Sequence, residues 1–331
     1  MRVILHARPG SSRILAGDGI QAAATAAALR AAGIQAELDE TGDLPGLSSC
    51  DLVHLFNLIP VETTHRAYLT AAAAGVPMVL SPVYWDPAEF LSFWDPGGGC
   101  AAWWRRTENL RREVLAGAGL ILPNGAAELA CLERTYGPLP PHCLVPNGVD
   151  ADLYHPPSRA VAREPHVLCV GRISARKNQL GLIEALRGTG LRLKFIGPVN
   201  DYAYYRACRA AAWPGVSFLP EVSGRRLADA YAAAPVHALV SWYETPGLAS
   251  LEAAACGCRV VSTDRGTARE YLGEQAFYCP PGDRAAIRNA VLAALAAPET
   301  PGLSREVRAR FTWAQAARAT LAAYEEALNM A

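Results

Sequence analysis

Short apolar runs rich in β-branched residues alternate with longer alanine- and leucine-rich stretches along nearly the whole chain. "RVILHA", "DLVHLFN", "VPMVLSP", "GLILPN" and "HCLVPNG" end in polar or turn residues and read as strands. "DGIQAAATAAALRAAG" and "THRAYLTAAAAG" lie between them and read as helices that stop at glycine. Residues 147–165, "NGVDADLYHPPSRAVAREP", break the rhythm with prolines and charges. A second set follows, "HVLCVGR", "LRLKFIG", "GVSFLP", "VHALVSW" and "CRVVST", again with helices between. Residues 304–328 close the chain as a helix, and "TWAQ" at 312–315 fits a capping box, Thr312 as cap and Gln315 three residues on.

Such alternation implies parallel strands joined by helical crossovers, an α/β fold. The expected division is a Rossmann-like domain over 1–147, a linker over 148–165, a second such domain over 166–310, and a closing helix over 311–331, free to pack back on the first domain. Ligands of these sheets sit beyond the carboxyl ends of the strands, and with two domains the cleft between them is the default site.

Composition narrows the class. A chain of 331 residues suits two domains of about 150 residues each. Half of it is hydrophobic (51%), enough for a core in each half, yet no run of about 20 apolar residues offers a membrane span. "MRVILHARPG" reads as a first strand rather than a signal peptide. The nine cysteines show no metal-like pairing, Cys256 and Cys258 forming only C-x-C, and are expected as reduced thiols in the cytoplasm. Residues 1–150 hold 10 Arg, no Lys and 15 Asp or Glu, net −5, and the remainder, 21 basic against 16 acidic, nets +5. A basic second half suits binding of an anion. Only Lys177 and Lys194 are lysines, so a lysine within a motif carries more information than usual. "FLSFWDPGGGCAAWWRRTENLRR" interleaves aromatics with arginines, a pattern of a membrane surface, an acceptor-binding feature or a packed helix. The acidic first half argues against attraction to anionic lipid.

No G-x-G-x-x-G follows either first strand and no G-x-x-x-x-G-K-[ST] occurs, which disfavours a dinucleotide dehydrogenase and excludes a P-loop enzyme. "VGRISARKNQL" instead puts Arg172 at a strand end and Lys177 at a helix start, where cations, free amides and helix dipole would together hold an anion. "SWYETPGLASLEAAACGCRVVST" puts Glu244 on a turn past a strand and Glu252 in the helix behind it. The amides of Gly247, Leu248, Ala249, Ser250 and Leu251 are expected to face a phosphate. A carboxylate accepts two hydrogen bonds from a vicinal diol, so Glu244 suits a sugar and Glu252 a ribose. Helix capping and plain surface exposure explain the same two glutamates about equally well.

Glu, seven residues, Glu, followed by "EAAACGCRVV", resembles the signature of retaining glycosyltransferases of group 1 (carbohydrate family four). "VGRISARKN" looks like that family's G-R-x-x-x-x-K element, "PNGVDADLYHP" its linker, "DRGTAREYL" its glycine-containing loop, and "RFTW" the entry to its last helix. The set runs in the family's order over residues 146–313, about half the chain. The resemblance implies the GT-B fold: two Rossmann-like domains facing across a cleft, a nucleoside-diphosphate sugar on the second, an acceptor on the first, and no required metal or other cofactor. It matches Arg172 and Lys177 to the pair at the donor diphosphate, with Gly171 beside them. Glu244 falls to the sugar hydroxyls and Glu252 to the ribose. Pro220, Glu221 and Val222 lie where the nucleobase is held, and residues 247–251 lie near sugar and phosphate.

The first domain departs from the family pattern. A histidine common there is missing from "VLSPVYWD", whose nearest polar candidates are Tyr84 and Asp86; Thr245 and Pro246 replace a common Gly-Phe, and Arg259 a common proline. Gly19, His54, Asn57, Tyr84 and Asp86 are the acceptor-side candidates, with His6 as a further strand-end histidine. The chemistry implied is departure of a nucleoside diphosphate and attack by an acceptor hydroxyl, with Arg172, Lys177 and Glu244 as the catalytic set. The rivals are a non-catalytic nucleotide-sugar binder and a sugar-nucleotide epimerase on the same fold. The acceptor is left open among a sugar, a lipid-linked molecule and a small molecule; no nucleic acid is expected. The chain is expected in the cytoplasm, free or peripheral to the inner face of the membrane.

Overall fold

The computed structural model describes residues 1–11, 17–95, 97–158 and 166–330. It divides into two units, Met1–Gly148 with Trp313–Ala331, and Val149–Thr312.

In the first unit the chain runs β1 (Arg2–His6), α1 (Gly17–Ala31), β2 (Gln35–Asp39), β3 (Leu52–Phe56), α2 (Val61–Ala73), β4 (Met78–Ser81), α3 (Ala88–Trp94), α4 (Gly99–Arg106), α5 (Glu108–Gly117), β5 (Leu120–Ile121) and α6 (Ala126–Tyr136). The five strands form one parallel sheet in the order β2-β1-β3-β4-β5. Every residue of β3 is buried, as a central parallel strand covered on both faces requires. The period of two sends Val3, Leu5, Leu52 and Phe56 into the core on one face and Ile4, Val53 and Leu55 into the core on the other.

"HCLVPNG" runs extended beside β5 without becoming a strand. One bridge, Ile121 to His142, and the bonds Cys143 N to Ile121 O and Val145 N to Pro123 O tie it there. Pro140, Pro141 and Pro146 lack the amides that a longer ladder needs. The edge strand β2, "QAELD", and a three-residue strand in the second unit are absent from the sequence expectation. Both are short edge strands.

The second unit holds β6 (His166–Val170), α7 (Gln179–Leu186), β7 (Arg192–Ile196), α8 (Tyr202–Ala211), β8 (Val216–Leu219), α9 (Arg225–Ala233), β9 (Val236–Leu239), α10 (Leu248–Ala255), β10 (Arg259–Thr263), α11 (Ala268–Leu272), β11 (Phe277–Cys279), α12 (Arg284–Ala296) and α13 (Gly302–Arg310). Asp201 and Asp283 cap α8 and α12 by accepting the amides of Tyr204 and Ala286, each at 2.9 Å. The sheet is parallel, in the order β11-β10-β9-β6-β7-β8. Successive strands run outward in one direction from β6 and in the other from β9. The order therefore reverses between these two, and the crevice outside their carboxyl ends is where this topology binds ligands.

Val149 and Tyr154 are buried in the second unit's core, and Val149 pairs with Thr312 in a parallel bridge. The chain thus enters and leaves this unit on neighbouring extended segments. The rest of the expected linker, residues 159–165, lies outside the described residues. The final helix α14 (Trp313–Met330) returns to the first unit, where Ala317, Ala323, Tyr324 and Ala327 join the core formed with α1.

Candidate functional site

The segments after β6 and β9 carry the second unit's charged candidates, and both emerge at the point where the strand order reverses. After β6 the chain passes Gly171 and Arg172, makes a 3-10 turn over Ala175–Lys177, and reaches Asn178 in the left-handed region (φ 59°) before α7. Two bonds from the Asn178 carboxamide nitrogen fix this turn, 3.0 Å to Val240 O past β9 and 2.8 Å to Pro281 O past β11. The Arg176 guanidinium donates to Tyr243 O at 2.8 Å, and Trp242 N donates to Arg176 O at 2.9 Å. The cation-bearing turn is thereby stitched to the segment that carries Glu244.

Lys177 Nζ lies 2.5 Å from Glu244 Oε1, with the two side chains 14% and 5% exposed. Burial pulls the Lys177 ammonium down to about 8, against the opposing effect of Glu244. Burial also works against the Glu244 carboxylate, but Lys177 and Arg176 outweigh it and hold the group below its ordinary range. Glu244 is further fixed through its backbone. Its nitrogen donates to Arg265 O, and its carbonyl accepts from Thr267 N at 3.0 Å. Between those two residues Gly266 sits at φ 92°, where any Cβ would collide with the Glu244 carbonyl. The glycine in "DRGTAREYL" is thus explained by close backbone approach.

The start of α10 corrects one expectation. Ser250 N and Leu251 N both donate to Gly247 O, and both residues are fully buried. They are closed into the first turn rather than offered to a ligand. Helix geometry leaves the amides of Gly247, Leu248 and Ala249 without intrahelical partners. Gly247 caps the helix at φ 89°, its α-carbon next to the Glu244 carboxylate. The anion site expected at the start of α7 is also altered. Lys177 precedes the helix and points to Glu244, and the amide of Leu180 is taken by the Tyr204 hydroxyl at 2.8 Å. Gln179 is buried and bonds the Arg172 carbonyl at 2.8 Å.

Glu252 lies half-buried on α10 and accepts from the Tyr231 hydroxyl of α9 at 2.9 Å. Desolvation raises its carboxyl to about 7, against the lowering effect of that bond. Tyr231 is itself buried and meets Tyr154 edge to face. Pro220 and Glu221 are exposed after β8, and Val222 packs against the core beside them. Asn178 and Tyr231 are the residues that motif reading missed as site builders. Asn178 carries a signal, an asparagine at a helix start after a lysine. Tyr231 carries none, being one more aromatic on the inner face of α9.

In the first unit the candidates scatter. His54 lies within β3, 1% exposed, with Nδ1 on the Tyr324 hydroxyl at 2.8 Å and Nε2 on Ser81 Oγ at 2.9 Å. Both ring nitrogens are used, and burial lowers its pKa to about 3, so it is a neutral core histidine rather than an acceptor contact. Tyr84 is likewise wholly buried, its ring between Trp104 and Tyr136; the aromatic segment that precedes α5 supplies its packing. Asp86 is exposed and accepts the amide of Ala88 at the start of α3. Gly19 is buried in the first turns of α1 against Ser11. His6 is buried at the end of β1, with Nδ1 2.9 Å from Asp39. Asn57 lies one residue past β3 and combines that position with polar partners. At φ 75° it donates to Asp18, itself 2.8 Å from Arg8, and accepts the amide of Ile59. The segment between Ser11 and Gly17 lies outside the described residues.

No helix among the described residues is long and apolar enough to cross a membrane, and no cluster of three His, Cys, Asp or Glu suited to a metal occurs among them.

The arrangement of two parallel α/β units is that of the GT-B fold class. Over 98% of both chains the structure resembles sucrose-phosphate synthase from Thermosynechococcus elongatus, with a TM-score of 0.81 at 19% identity. Anabaena HepE, solved in complex with UDP and glucose, has a TM-score of 0.72 at 19% identity over 97% of this chain and 98% of its own. These likenesses show the GT-B fold. Residues 164–297 match the family model of glycosyl transferases group 1, and the second unit is a domain of that family. The D-inositol 3-phosphate glycosyltransferase of Nocardia farcinica is 33% identical over 178 residues, 47% of this chain and 40% of its own. That of Arthrobacter sp. is 30% identical over 251 residues, 68% of this chain and 60% of its own. The chain thus spans about half the length of the relatives it matches.

Proposed function

We propose that the protein is a glycosyltransferase that moves a sugar from a nucleoside-diphosphate sugar to an acceptor hydroxyl, with retention and without a metal. The observation that carries this reading is the buried Lys177–Glu244 pair, set beside the amino end of α10 at the strand-order reversal of a group 1 domain. As the donor bond breaks, negative charge grows on the leaving diphosphate. A cation and helix-start amides fixed in advance stabilise that charge without reorganising, which is where electrostatic catalysis gains most. Arg172 stands on the same segment and adds a second cation. Glu252, with Tyr231 behind it, suits a ribose diol, and residues 220–222 suit the base. The acceptor binds the first unit through groups at its strand ends, Asn57 first among them. The reaction runs in the cytoplasm, free or at the inner face of a membrane.

Release of nucleoside diphosphate from a panel of nucleotide sugars, with and without chelator and with simple sugar, cyclitol and lipid-linked acceptors, tests the reading. UDP-sugars come first, because HepE was solved with UDP. Product anomeric configuration by NMR decides retention. Absence of turnover with every donor overturns the transferase reading; turnover that stops in chelator overturns metal independence.

A further inference from the structure

A lysine that grips a diphosphate must be cationic when the ligand arrives, and the surroundings of Lys177 work against this. Its ammonium is 14% exposed and lies 2.5 Å from a carboxylate that is more deeply buried still. Arg172 and Arg176 on its own segment both disfavour its charge. From β9 the imidazole of His237 is kept neutral by burial and then by Lys177, against the pull of Glu244, and from β6 burial pushes the Cys169 thiol up to about 12, so it stays protonated. Among the described groups that face the ammonium, Glu244 is therefore the one that favours the charged form. Its position is fixed three times over, through Arg265 O, through Thr267 N and by the closeness of Gly266. The lysine turn is braced independently by Asn178.

We infer that Glu244 is a positioning residue for Lys177: it keeps the buried ammonium protonated and aimed, so that carboxylate and lysine act as one anion-gripping unit. This rests on the donor-site reading above and extends it. Glu244 then matters to the bare nucleoside diphosphate and not only to the sugar. Removing its charge leaves burial and two arginines unopposed, and the lysine sheds its proton at a lower pH.

The chain offers a direct readout, because Lys177 and Lys194 are its only lysines. Protein labelled with 13C-lysine gives two ε-carbon signals, assigned with Lys194→Arg. In the wild type the Lys177 signal titrates with a midpoint near 8. In Glu244→Gln the midpoint falls by roughly 1–3 pH units, and in Glu244→Asp, which keeps the charge, it stays within about half a unit of wild type. UDP affinity by calorimetry follows the same titration. In Glu244→Gln it is near wild type at pH values below the lowered midpoint and falls about tenfold per pH unit above it. A Lys177 midpoint unchanged in Glu244→Gln overturns the inference, as does an equal displacement in Glu244→Asp. If the midpoint moves as expected while the wild type binds no nucleoside diphosphate at any pH, the pairing stands and the donor-site reading falls.

Discussion

His54 and Glu244 are both polar residues associated with a parallel strand of a Rossmann-like sheet, and they have opposite fates. His54 lies inside β3, and its two nitrogens are spent on Tyr324 and Ser81. Glu244 lies five residues past the end of β9, and its carboxylate meets a lysine brought from the end of β6. The position relative to the strand end separates them. A polar side chain within a central strand must be satisfied by the core around it, or it costs stability. One just beyond the end can be held by a neighbouring turn and still face a ligand. In the second unit the order reversal brings two such turns together. In the first unit Asn57, one residue past β3, meets the same condition.

Lys177→Ala should have the largest effect. Turnover should drop roughly 100-fold or more, the loss typical of one transition-state donor, and Glu244 is left buried without its partner. Adding Glu244→Gln should cost less than the product of the two single losses, because the residues share one contact. Steady-state rates of the four proteins check this; strictly multiplicative losses would separate the pair into independent parts.

His54→Ala should show the contrast from the other side. It leaves a buried tyrosine hydroxyl and a serine without partners, at about 1–3 kcal/mol of stability. Turnover per folded molecule should stay at the wild-type level. Denaturant midpoints together with active-site-corrected rates test it, and a rate loss with full stability would return His54 to the acceptor site.

Much of this division is legible in the sequence. Alternating apolar runs imply the parallel sheets, and the ordered motifs point to the segments after β6 and β9. Two things are not legible. Whether a strand residue is inside or beyond the sheet depends on where pairing stops, and propensity marks ends only loosely. His54 and Asn57 are three positions apart in one run, and only the hydrogen-bond ladder tells them apart. The other is partnership. Lys177 and Glu244 are separated by 67 positions, and nothing local says that they touch; motif order suggests separate tasks, diphosphate and sugar. Tyr231 is hidden for the same reason, 21 positions from the carboxylate it contacts.

Tyr231→Phe sharpens the comparison within the second unit by removing the hydroxyl that donates to Glu252. Without that bond the Glu252 carboxyl should rise further, and nucleoside diphosphate affinity at pH 7 should fall roughly 2–10-fold, about one hydrogen bond. The deficit should shrink as pH rises and the carboxylate forms regardless. Calorimetry at pH 6.5 and 8.5 gives the two values; a deficit constant with pH would show that the Tyr231 hydroxyl does not act through the protonation of Glu252.

A last test separates the two glutamates by sign. The charge of Glu244 is favoured by its surroundings, that of Glu252 is opposed. The Glu252 carboxyl titrates near 7 when folded and near the ordinary 4.5 when unfolded. Between those values the folded chain holds a proton that the unfolded chain has released, so stability falls as pH rises from 4.5 through 7. Glu252→Gln cannot titrate and keeps an oxygen for Tyr231. Its melting temperature should match wild type near pH 4.5, exceed it increasingly up to about pH 7, and hold a constant lead above. Nucleotide affinity should move the other way, because the charged carboxylate is the better acceptor for a ribose diol. Wild-type affinity should climb through pH 7, then fall above 8 as Lys177 loses its proton, and the rising limb should vanish in Glu252→Gln. Melting curves that stay parallel across pH would show that Glu252 carries no buried charge in the folded chain, and a rising limb that survives in the variant would assign it to another group.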